Sequence, residues 1–179
     1  MKCFLIIVLT LFLVSCSGDG SNSYYRPSKK SILVDEISSD VFKKLKKEND
    51  LYPIECGGRM MHQITLLHWG FCYHKEIDVN EARKLLLTAS DQFLKAFNED
   101  PRIRSYLATY PLTSKNIQVN IFLKNPDGSE LGLDKLRVIS MNEGVLDYMI
   151  RSSETGRLTT IDKETYEEAA EKLASSVTR

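Results

Sequence analysis

The order of hydrophobic periods in this chain predicts an α+β fold, an antiparallel sheet of about four or five strands packed against helices on one face. Two observations carry that expectation. Apolar residues recur at three- and four-residue steps in blocks before and after a central region, and within that region they alternate with period two across runs joined by short turns. A third observation bounds the size: 179 residues, 42% hydrophobic and 27% charged, make one domain with a real core. With 24 basic and 24 acidic side chains there is no net charge to attract nucleic acid, and no nucleic-acid partner is expected.

In chain order, Lys2 precedes an almost unbroken apolar run from Cys3 to Val14, followed by Ser15, Cys16 and the polar Ser17-Gly18-Asp19-Gly20. This is the layout of a signal peptide. The run has about twelve residues, whereas a helix crossing a ~30 Å hydrocarbon core takes roughly 20. Residues 1–15 are therefore expected to be a cleaved leader and not a permanent span. Leu13-Val14-Ser15-Cys16 resembles the lipobox of bacterial lipoproteins. The resemblance implies that the Cys16 thiol is acylated with diacylglycerol, that the chain is cut just before it, and that the protein sits lipid-anchored in the bacterial cell envelope. Ser17, where Asp would signal retention, resembles the outer-membrane sorting signal of Gram-negative lipoproteins and favours the outer membrane over the inner. The resemblance covers the export segment alone and implies nothing about the fold.

Residues 16–31 are poor in aliphatic side chains and read as a tether. Over residues 32–50, Ile32, Leu33, Val34, Ile37, Val41, Phe42 and Leu45 are spaced by threes and fours, with Lys43, Lys44, Lys46 and Lys47 elsewhere around the turn: an amphipathic helix. A single α+β domain is expected over residues 51–176. Its clearest helix starts at Asp78, where Asp78-x-x-Glu81 has capping-box spacing, and runs through Ala82, Leu85, Leu86, Ala89, Phe93, Ala96 and Phe97. Asp91 and Lys95 are spaced for a helical ion pair. Asp100-Pro101 reads as a fresh N-cap for a short second helix through Ile103 and Leu107, stopped at Tyr110-Pro111.

Strands follow at Ile117–Leu123, Leu136–Met141, Val145–Arg151 and Leu158–Ile161, with turns at Asn125-Pro126-Asp127-Gly128, Asn142-Glu143-Gly144 and Gly156. A last helix carries Tyr166, Ala169, Ala170 and Leu173, with Asp162 as its expected cap and Glu167, Glu168 and Glu171 on its solvent face.

Any chemistry in this chain would sit in the segment Cys56 to His74, which holds both remaining mature cysteines, the only tryptophan and all three histidines. Cys56, His62, His68 and His74 are six apart, which in one straight strand separates neighbours by roughly 20 Å, far too much for a single metal ion. These histidines are weak metal candidates, and no cofactor-binding motif is present. A Cys56–Cys72 disulfide is sensible outside the cytoplasm and would contribute about 3 kcal/mol in the loop-entropy picture. It requires the fifteen intervening residues to fold back, yet Met61 to Leu67 offers no turn residue; paired and free thiols both remain open. No catalytic residue is assigned: a nucleophile elbow, a zinc-protease helix and a phosphate-binding glycine loop are all missing. The sequence favours a membrane-anchored lipoprotein with a small binding or scaffold domain that recruits a protein or envelope component. The alternative is an envelope enzyme or metal-binding protein using residues 56–74.

Overall fold

The spacing of Leu33, Val34, Ile37, Val41 and Leu45 puts five side chains on one side of helix α1 (Lys29–Asn49), and all five are buried. Ser28 caps the helix by accepting a hydrogen bond from the Ser31 N–H, so it begins inside the stretch expected to be tether. Its apolar stripe joins the same core as the rest of the fold, which makes α1 an integral part of the domain. The computed structural model describes residues 26–177; Cys16, the leader and the start of the tether lie outside the described residues.

After α1 come β1 (Tyr52–Arg59), β2 (Leu66–Tyr73), α2 (Val79–Glu99), β3 (Ile117–Leu123), β4 (Leu136–Asn142), β5 (Val145–Arg151), β6 (Leu158–Thr165) and α3 (Tyr166–Val177). The six strands lie side by side in chain order. Every neighbouring pair is antiparallel except β2 with β3, which run parallel because α2 crosses over between them. The class is the expected α+β, a mostly antiparallel sheet against three helices. It has six strands because the Cys/His segment folds into the hairpin β1–β2. Gly144 has the left-handed φ of 86° that, with Glu143 at 50°, makes the two-residue turn joining β4 to β5.

On β3 the odd positions Ile117, Val119, Ile121 and Leu123 are buried while the even ones are half-exposed. Their face receives the helices. Trp69 of β2 stacks on Phe93 of α2 at 3.7 Å and 8°, and Phe42 of α1 meets Phe71 edge-on at 5.7 Å. The fully buried Trp69 donates its indole N–H to the buried Ser38 hydroxyl of α1 at 2.9 Å, satisfying two polar groups that would otherwise be costly there. A second internal tie joins α2 to α3. Glu164 of β6 accepts hydrogen bonds from Arg83, from the Tyr148 hydroxyl and from Lys172, each at 2.6 Å. Burial opposes the Glu164 charge, but these donors outweigh it and hold the carboxyl below its usual range.

Four local expectations need correction. Asp100 closes α2 as its C-cap, and the chain then makes one 3-10 turn, Arg104–Tyr106, where a second helix was expected. The reason is a bridge in which the Ile64 N–H donates to Tyr106 O and the Ala108 N–H donates to Ile64 O, drawing the chain out of helix. The cap of α3 is Thr165, not Asp162: Thr165 Oγ1 accepts from the Glu168 N–H while Glu168 accepts from the Thr165 N–H. Asp162 stays within β6, which runs to Thr165. Asp91 pairs with the Tyr166 hydroxyl of α3, and Lys95 with Glu99. Among the described residues no helix is long and apolar enough to cross a membrane.

Candidate functional site: the open face of the sheet

A pleated strand sends alternate side chains to opposite faces, so the helices leave a second face open on all six strands. Register fixes its rows. Glu55, Gly70, Asn120, Ser140, Asp147 and Lys163 are successive cross-strand partners, a polar row spanning the sheet. Beside it runs Cys72, Phe122, Val138, Met149 and Thr160, a mostly apolar row. A polar line thus runs beside a line of half-buried, mostly apolar side chains.

The Cys/His segment supplies one end of that face. His68 Nε2 lies 3.2 Å from Glu55 Oε2 and 3.2 Å from the Asn120 side-chain nitrogen, a cluster drawn from three strands. One ring nitrogen cannot donate to the carboxylate and accept from the amide at once, so Glu55 and Asn120 are alternative partners. Gly70 makes the cluster possible. A Cβ there would stand 2.6 Å from Glu55 Oε2 and 2.9 Å from its Cβ, so only a bare backbone lets Glu55 lie across β2 toward His68.

The structure separates the residues singled out by sequence. His62 is exposed in the β1–β2 turn, and His74 lies past the end of β2 with its ring edge-on to Tyr52 at 5.3 Å. With His68 at mid-strand the three histidines do not converge, and among the described residues no group of three or more His, Cys, Asp or Glu side chains is arranged to hold a metal. Cys56 and Cys72 are free thiols. Their pairing fails for a reason of register: Cys56 faces Trp69 while Cys72 faces Tyr52 and Phe122, three residues further along β2 and on the other side of the sheet. Although Cys56 is exposed as a residue at the sheet edge, its thiol lies on the helix side. Burial there pushes it above the ordinary thiol value, aided by the Asp35 charge and opposed by hydrogen bonds with Ser38 and Trp69. A raised thiol is a poor nucleophile near neutral pH.

Sequence reasoning did not find Glu55, Asn120, Ser140, Asp147 or Lys163. Each is an ordinary polar residue on its own strand, and only the register aligns them; the visible signal was the polar half of the β3 alternation, Gln118 and Asn120. Taken together, fold and site define an α+β protein with one helix-covered face and one polar, open face of the sheet. Comparison with protein-family models, with curated proteins and with solved structures finds no match to this chain.

Proposed function

We propose that this protein is a bacterial lipoprotein, tethered to an envelope membrane through acylated Cys16, whose α+β domain binds a protein or envelope component on the open face of its sheet. The observation that carries the reading is Leu13-Val14-Ser15-Cys16 at the end of a short apolar leader. Two or three acyl chains, at about 0.8 kcal/mol per buried CH₂, make such an anchor effectively permanent. The polar row supports the binding half of the reading: Glu55 and Lys163 are exposed and Asn120 and Asp147 half-buried, and groups held on a rigid sheet cost little entropy to present to a partner.

Intact mass and membrane fractionation of the expressed protein, against a Cys16→Ala variant, test the anchor. The expected result is diacylglyceryl mass on Cys16 and a membrane-bound wild type, both lost in the variant. A mature chain that begins elsewhere and fractionates as soluble protein would overturn it.

A further inference from the structure

One corner of the open face has a different character. Where the apolar row meets the far ends of β3, β4 and β5, a cleft of about 570 Å³ is floored by Phe122, Val138 and Leu158 and rimmed by Lys124, Arg137, Arg151 and Glu130. That volume is in the range of small-ligand sites. Three cations surround one carboxylate. Lys124 Nζ lies 3.1 Å from Glu130 Oε1 and Arg137 Nη2 lies 3.0 Å from Glu130 Oε2, so a single anion divides itself between two of them. The Arg151 guanidinium has neither an ion pair nor a hydrogen bond among the described residues.

Arg137 is the unusual member. It occupies the β-bulge between Leu136 and Val138 in the β4–β5 pairing, a device that re-aims a side chain. The side chain is only 13% exposed, with one Nη donating to Leu131 O at 2.8 Å, yet its buried Nε has no acceptor. A buried guanidinium donor left unmatched, beside a second guanidinium that makes no hydrogen bond and reaches Glu130 only through its charge, leaves donors to spare for an anion. Glu130 stands on the 124–135 connection and is more than half exposed, in the manner of an internal counter-ion holding the place of an external one.

We propose that this cleft binds a small organic anion, one carboxylate or phosphate group held by Arg137, Arg151 and Lys124, with the apolar or aromatic body of the ligand on Phe122, Val138 and Leu158. The inference deepens the reading of the open face as the binding face and does not depend on the anchor. Phosphate and carboxylate ligands share the charge and the fork geometry that the arginines offer, so the test carries both.

The full chain in dodecyl maltoside is titrated separately with phenyl phosphate, 3-phenylpropionate, the neutral 3-phenylpropanol and inorganic phosphate, following backbone amide shifts by NMR. The expected result is saturable shifts at Phe122, Val138 and Arg151 with at least one of the aromatic anions, binding at least tenfold tighter than the alcohol or inorganic phosphate. The tighter of the two aromatic anions identifies the headgroup. Arg151→Gln, at an exposed position, is expected to weaken binding at least fivefold, and Glu130→Gln to tighten it, because the competing internal carboxylate is gone. A merely structural ion pair at Glu130 predicts no tightening. Equal affinity for the alcohol, or no shift in the cleft with either aromatic anion, overturns the proposal. Shifts confined to Asn120 and Ser140 would overturn it too, while leaving the open face as the binding face.

Discussion

The two faces of the sheet are built from alternating residues of the same strands and obey different rules. On the helix side the two deepest polar ties are matched inside the fold, Trp69 with Ser38 and Glu164 with Arg83, Tyr148 and Lys172, and the unmatched buried atoms there are single amide oxygens, Asn49 Oδ1 and Gln92 Oε1. On the open side polar groups have alternative partners, as at His68, or lack a hydrogen bond, as at Arg137 Nε and the Arg151 guanidinium. The difference teaches that matched groups set stability, whereas groups with hydrogen-bonding capacity to spare are those able to bind something else.

This division makes substitution on the helix side costly and on the open side cheap. The largest effect is expected from Trp69→Ala, which removes the stack on Phe93 and leaves Ser38 buried without its donor: a loss of about 3–5 kcal/mol, read by urea denaturation. Glu164→Gln comes next at about 3 kcal/mol, because Arg83, 8% exposed at its side chain, loses its counter-charge. The same residue sharpens the comparison with pH. Its folded carboxyl is held below the unfolded value of roughly 4.3, so its stabilisation is complete above that value and disappears as pH falls through the lowered one. Stability of the wild type against pH, measured beside Glu164→Gln, should show a steeper acid loss in the wild type. Gly70→Ala should cost about 1 kcal/mol and displace Glu55 from His68, a change visible in the His68 ring NMR signals. Asn120→Ala should stay within ~0.5 kcal/mol, since His68 keeps Glu55.

The helix side was largely legible in the sequence because burial writes a period. Ala82, Leu86, Ala89, Phe93 and Phe97 are buried as their spacing implies, and so are the odd positions of β3. The hairpin β1–β2 was not legible. Edge strand β1 is exposed along almost all its length, interior strand β2 is buried at adjacent positions such as Trp69, Gly70 and Phe71, and neither alternates. The turn between them, Met60-Met61-His62-Gln63, holds none of the usual turn residues. The open-face cluster was invisible for a different reason: Glu55, His68 and Asn120 come from three strands, and their meeting depends on a bulge at Pro53/Glu55 and on the parallel pairing that α2 imposes.

The most direct measurement compares neighbouring positions of β3. In a full-length chain with its native cysteines replaced by serine, Val119→Cys and Asn120→Cys are each labelled with a maleimide under native conditions. Labelling at 120 is expected to be on the order of a hundredfold faster, since Val119 is fully buried under the helices and Asn120 lies on the open face. Comparable rates, or protection at 120, would contradict the division of the sheet into a sealed face and an open one.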